Sequence, residues 1–114
     1  MKFPIKGRGR TYKAPGTMNG MEKAYSELLR LRHLAGEVAW FKYEGITLKL
    51  APDTRYTPDF AVVLADGTME MHETKGHWEP SALVKIKCAA EMFPFLFVGV
   101  TKDKSGWNYR RFGE

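Results

Sequence analysis

Two carboxylates and an amine, Asp59, Glu73 and Lys75, are spaced so that one β-hairpin can bring them together. Asp59 stands in the run TPDF and the other two in MEMHETKG, with Asp66-Gly67, a tight-turn signal, between the runs. Alternation along TMEMHETK puts Met69, Met71, Glu73 and Lys75 on one face and Glu70, His72 and Thr74 on the other. The face that the methionines bury thus ends in opposite charges, two strand steps or about 6.6 Å apart at the backbone. Folding at Asp66-Gly67 lays Asp59 opposite the region of Glu73–Thr74. Charges placed there cost free energy unless they pair or bind an ion. Two carboxylates suit a hard divalent cation such as magnesium, with waters filling its remaining positions. The cation would polarise a phosphate and activate water, while Lys75 would orient that water or stabilise transition-state charge. The plainer alternative is a Glu73–Lys75 ion pair on an exposed strand, worth little to stability.

The chain that must position these groups has 114 residues, 44% of them hydrophobic, which suits one domain with one core. Its single cysteine, Cys88, cannot form an internal bridge and fits a reducing compartment. The opening MKFPIKGRGR has no apolar stretch after its bases, and MFPFLFVGV is too short to span a bilayer. A cytoplasmic protein without membrane contact is expected. The net charge of +5 is carried by Lys2, Lys6, Arg8, Arg10 and Lys13, and beyond them bases and acids balance. Residues 1–17, with their glycines and prolines, read as a flexible basic arm suited to nucleic-acid phosphates, or else as a solvated tail. Residues 18–114 read as the single folded domain.

Asn19 can cap a helix from about Gly20 to Ala35, with Met21, Ala24, Tyr25, Leu28, Leu31 and Ala35 at helical spacing. EVAWFKYE and ITLKL read as strands joined in a hairpin at Glu44-Gly45, and APDTRYTP as a loop. DFAVVLA and TMEMHETK follow as the next pair. Pro80 opens a helix to about Met92, with Leu83, Ile86 and Ala90 inward and Lys87 at its inner edge. FLFVGV reads as a buried strand and GWNYRRF as a last, partly exposed one. A helix between TMEMHETK and FLFVGV permits a crossover to a parallel neighbour, hence an α/β fold with a mixed sheet flanked by helices.

TPDF followed by ETKG resembles the signature of the PD-(D/E)xK nuclease superfamily, with Pro58-Asp59 as its PD and Glu73-Thr74-Lys75 as its ExK. The resemblance covers roughly residues 18–101 and implies a restriction-endonuclease-like core in αβββαβ order. Within the superfamily the chain is similar to small phage-type endonucleases and Holliday junction resolvases. The resemblance implies magnesium-dependent hydrolysis of DNA phosphodiesters, manganese substituting, with Asp59, Glu73 and the Thr74 carbonyl holding the metal. Members often add a first-helix glutamate. Helical periodicity leaves Glu22 and Glu27 level, and the resemblance favours Glu22, with Lys23–Glu27 as a surface pair.

HETKGH invites a zinc reading, but zinc-protease histidines need H-E-x-x-H on a helix, and this spacing is one residue longer on a strand. His72 then reads as a packing or surface residue. His77, Lys85 and Lys87 lie where they could approach DNA phosphates. Trp78 either stacks on a distorted step or closes the core edge. Trp107, Tyr109, Arg110 and Arg111 suit nucleic-acid contact or an ordinary edge strand. The expectation is a DNA endonuclease selective for branched structures, acting as a homodimer whose two-fold axis relates two cuts. The rival is a non-catalytic nucleic-acid-binding protein on the same fold.

Overall fold

Neighbouring residues on the central strands are apolar on both sides, so the sheet must be covered on two faces. The computed structural model describes residues 16–113, and Lys2, Lys6, Arg8, Arg10 and Lys13 of the expected arm lie outside them. The elements are α1 (Gly20–Leu34), β1 (Val38–Tyr43), β2 (Leu48–Ala51), β3 (Thr54–Tyr56), β4 (Phe60–Leu64), β5 (Met69–Thr74), α2 (Pro80–Met92), β6 (Leu96–Asp103) and β7 (Gly106–Phe112). Five strands form a mixed sheet in the order β1-β4-β5-β6-β7, and β2 and β3 form a separate two-stranded hairpin. Among the described residues only the β5–β6 pairing, across the α2 connection, is parallel. Among the described residues no helix is long and apolar enough to cross a membrane.

Alternation splits the interior into two cores. Phe60, Val62, Val98 and Val100 pack with Tyr25 and Leu29 of α1, whereas Ala61, Met71 and Phe97 pack with Ile86 and Ala89 of α2. The β2–β3 hairpin joins the second core through Leu48 and Tyr56. The expected β1–β2 hairpin does not form. β1 pairs antiparallel with β4, and the chain leaves the sheet at Glu44, in the left-handed region at φ 49°. The expected loop over residues 51–58 contains the three residues of β3. On α1 the buried stripe is Glu22, Tyr25 and Leu29, and Leu31, expected inside, is 52% exposed. α2 runs as expected, but Lys87 is exposed rather than at the inner edge.

The turn between β4 and β5 sets what faces what. Leu64 N–H donates to the Thr68 carbonyl at 2.8 Å, closing a loop of Ala65, Asp66 and Gly67. Gly67 donates back to the Leu64 carbonyl at 2.9 Å and sits at φ 90°, where an L side chain is strained. The Asp66 carboxylate accepts the Thr68 N–H at 2.9 Å. This three-residue loop pairs Phe60 with His72, so the next position sets Asp59 against Glu73. A two-residue turn would have set it against Thr74.

Gly99 lies opposite Glu73 on β6. A Cβ there would stand 2.6 Å from the Trp78 ring and 3.0 Å from Phe112. The missing side chain lets Trp78 close the core edge, its ring centroid 5.6 Å from that of Phe112. Gly99→Ala should therefore cost about 2 kcal/mol through overpacking, measured as a lower urea midpoint with an unchanged slope. Wild-type stability in that variant would mean that Trp78 does not occupy this position.

Candidate active site

Asp59 and Glu73 are both buried and are each bonded to the other's strand. Asp59 Oδ2 accepts the backbone N–H and the hydroxyl of Thr74, both at 2.9 Å. The Asp59 N–H in turn donates to Glu73 Oε1 at 3.2 Å, and the Asp59 carbonyl accepts the Glu44 N–H at 2.7 Å. The residue is held between the end of β1 and the end of β5. Glu73 Oε1 also accepts the Tyr56 hydroxyl at 3.0 Å, and Oε2 lies 3.4 Å from Lys75 Nζ. The Lys75 side chain, 30% exposed, is the member of this group that reaches solvent. Its backbone N–H donates to the Val100 carbonyl at 2.9 Å, which extends the β5–β6 pairing past Thr74.

Tyr56 was absent from the expected site because its segment read as loop. Burial, and then the charges of Glu73 and Asp59, push its hydroxyl far above the ordinary tyrosine range. The phenol therefore keeps its proton and donates to Glu73 rather than competing as an anion.

Between the two helix candidates the structure separates a buried from an exposed residue. Glu22 is 3% exposed, whereas the Glu27 side chain is 58% exposed and pairs with Arg30 at 2.6 Å, not with Lys23. Glu22 closes a capping box: its Oε1 accepts the Asn19 N–H at 2.9 Å, and Asn19 Oδ1 accepts the Glu22 N–H at 2.8 Å. The same Oε1 accepts the Tyr43 hydroxyl at 3.0 Å. Tyr43 packs on Phe60, the neighbour of Asp59, with ring centroids 5.4 Å apart. Glu22 is thereby tied to the Asp59 end of β4 through Tyr43. Among the described residues no three His, Cys, Asp or Glu side chains form a ready cation cage.

The other expected contact residues are on the surface. His77 is exposed, 3.8 Å from Glu79, and Lys85 and Lys87 are exposed on α2. On β7, Trp107 packs edge-on against Tyr25 at 5.1 Å, Lys102 lies over the Trp107 ring, and Arg110 lies over Phe112. Those aromatics belong to the cores. Tyr109 stays half exposed, and Arg111 is exposed.

The opposite face of β5 carries a buried polar chain. The Tyr25 hydroxyl is 2.6 Å from His72 Nδ1, and His72 Nε2 is 2.8 Å from Glu70 Oε1. Burial, with Tyr109 nearby, pushes the Tyr25 hydroxyl far up, so it keeps its proton. The His72 ring thus bridges the two elements, Nδ1 meeting the Tyr25 hydroxyl while Nε2 hydrogen-bonds the Glu70 carboxylate. That hydrogen bond holds Glu70 below the ordinary glutamate range, with Arg111 and Arg32 adding smaller attractions. The chain ties α1 to β5 one turn from Glu22 and one residue from Glu73.

Compared with known proteins, the chain matches no family model, no curated protein and no solved structure.

Removing the polar chain should be visible in stability. Tyr25→Phe leaves a buried imidazole nitrogen unpaired and should cost about 1–3 kcal/mol in denaturant unfolding. The Glu70 contribution has a defined sign. Its folded pKa lies below the unfolded value of about 4.3, so the stabilisation is complete above that pH and is lost as the pH falls further. Glu70→Gln should flatten the fall in stability below about pH 4.3, and an unaltered acid slope would show that Glu70 does not couple to folding.

Proposed function

We propose that the chain is a magnesium-dependent DNA endonuclease of the PD-(D/E)xK type. The observation that carries this reading is that buried Asp59, just before β4, is hydrogen-bonded to Glu73 and Thr74 at the end of β5, with Lys75 3.4 Å from the Glu73 carboxylate. On this reading α1, β1, β4, β5, α2 and β6 are the αβββαβ core of a restriction-endonuclease-like fold, with the β2–β3 hairpin inserted and β7 appended.

The donors fit a hard cation. Asp59 and Glu73 offer oxygen alone from one buried end of the sheet, while His72, the nearest imidazole in sequence, bonds to Tyr25 and Glu70 on the other face. Asp59, Glu73 and the Thr74 carbonyl would hold magnesium, which when bound supplies Lewis acidity toward a phosphate oxygen and toward water. Tyr56 and the Asp59 N–H hold the Glu73 carboxylate in place, and Thr74 does the same for Asp59. Lys75 orients the attacking water and offsets charge on the phosphate. The water oxygen loses a proton and bonds to phosphorus, the ester P–O bond breaks, and the leaving oxygen takes up a proton in its place, so the water's atoms are divided between the two products. Glu22, bonded to Tyr43, supports the Asp59 end of the site. Branched DNA such as a four-way junction is the substrate expected first, cut by a homodimer on opposed strands.

The test is incubation of the purified protein with four-way junction, flap, plasmid and single-stranded DNA, with magnesium, manganese or a chelator. Cutting should require the metal. Glu73→Ala and Lys75→Ala should each lower it on the order of a hundredfold or more. Cutting that survives both substitutions would identify a contaminant. Binding without cutting under any divalent ion would assign the protein a non-catalytic nucleic-acid-binding role.

A further inference from the structure

The β2–β3 hairpin has an unusual outer face. Its register sets Leu48 against Tyr56 and Lys49 against Arg55. Leu48 and Tyr56 point into the α2 core, so Lys49 and Arg55 share the solvent side, and both are exposed. Directly opposed like charges destabilise a strand pair, and an isolated two-stranded hairpin is only marginally stable. Among the described residues neither cation has a carboxylate partner; the hairpin's own acid, Asp53, sits at its tip. One step nearer the sheet, Thr47 and Thr57 are hydrogen-bonded through their hydroxyls at 2.8 Å on that same side. Thr57 is followed by Pro58 and Asp59. Arg55, Thr57 and Asp59 thus follow one another along a single stretch of chain, with Lys49 and Thr47 facing the first two from β2 and the residue before it.

We propose that this outer face binds the nucleic-acid backbone, with Lys49 and Arg55 holding phosphates beside the cut. The proposal deepens the nuclease reading and rests on it for the position of the cut. Arg55 lies four residues from Asp59, at most about 14 Å of extended chain. With one charge per about 3.4 Å of axis along each strand of duplex, that places the contact within about four phosphates of the reacting one. A bound phosphate relieves the repulsion between the two cations, and Arg55 can engage it with two parallel N–H donors. The contact carries no base information, so it suits an enzyme that recognises shape.

The experiment measures fluorescence anisotropy of labelled four-way junction and labelled duplex in chelator, where no cutting occurs, for wild type and Lys49→Gln/Arg55→Gln. The double variant should bind both DNAs more weakly. The slope of log affinity against log salt should become shallower by about 1.8, two contacts at about 0.9 each. Its thermal midpoint should equal or exceed that of wild type, because the repulsive pair is gone. Unchanged affinity and salt slope would overturn the proposal and leave the cations as guards against edge pairing. So would weaker binding that merely tracks a lowered midpoint. Cleavage by wild type in magnesium is scored separately. Cutting with unaltered binding in the variant sinks the hairpin contact alone, and weakened binding by the variant of a protein that never cuts sinks the nuclease reading alone.

Discussion

The backbone bond from Leu64 to Thr68 decides the identity of the site. It closes a three-residue loop rather than a two-residue one, and every pairing between β4 and β5 follows from that count. Side chains alternate with period two, so a slip of one position would turn the β5 residues to the other face relative to β4. Glu73 would then face α1, and Asp59 would meet Thr74 instead. Gly67 at φ 90° and the Asp66 side chain bonded to Thr68 select this loop. Both cores depend on the same register, because Phe60 and Val62 must face α1 while Ala61 and Met71 face α2. The hydrophobic pattern and the turn chemistry therefore specify the same pairing, and the carboxylates are carried into place by it.

β5 serves two purposes on its two faces. One face holds Glu73 among Asp59, Tyr56 and Lys75, and the other holds His72 between Tyr25 and Glu70. The second set anchors α1, and α1 carries Glu22 one turn before Tyr25. A helix held only by apolar contacts could slide along a flat sheet surface. The Tyr25–His72 bond gives it one fixed point, and the Glu22–Tyr43 bond gives it another. No buried side-chain nitrogen or oxygen among the described residues lacks a partner, so the polar interior is satisfied throughout. Such networks lose more than one bond's worth when a member is removed, because the remaining groups stay buried.

Much of this was legible from residue types and spacing. The Asp-Gly turn, the alternation of TMEMHETK and the proline opening α2 located β4, β5 and that helix, and with them the meeting of Asp59 and Glu73. Strand partners were less legible. Val38 and Phe41 mark a strand, but alternation says only which faces are apolar, and adjacency in sequence favoured β2 where the sheet uses β4. Tyr56 lay between Pro52 and Pro58, whose spacing signals a loop yet leaves room for three extended residues. On α1 the centre of the buried stripe was judged from apolar residues alone. The true stripe includes Glu22, because Asn19 and Tyr43 satisfy its carboxylate, and it leaves Leu31 outside. A buried charge can be recognised only when its partners are known, and those partners come from elements distant in sequence.

The β2–β3 insertion brings these threads together. As a two-stranded piece it could not persist alone, and it is held by Leu48 and Tyr56 against the α2 core. Tyr56 donates its proton to Glu73 from the inner face, while Lys49 and Arg55 stand on the outer one. Movement of the hairpin would therefore alter the support of a site carboxylate and the direction of two cations at once. Cations near buried carboxylates would ordinarily collapse onto them, given the attraction between opposite charges at short range. Strand geometry prevents this here, since residues of opposite parity point to opposite sides of the pleat. The hairpin can thus bring positive charge close to an acidic site without neutralising it.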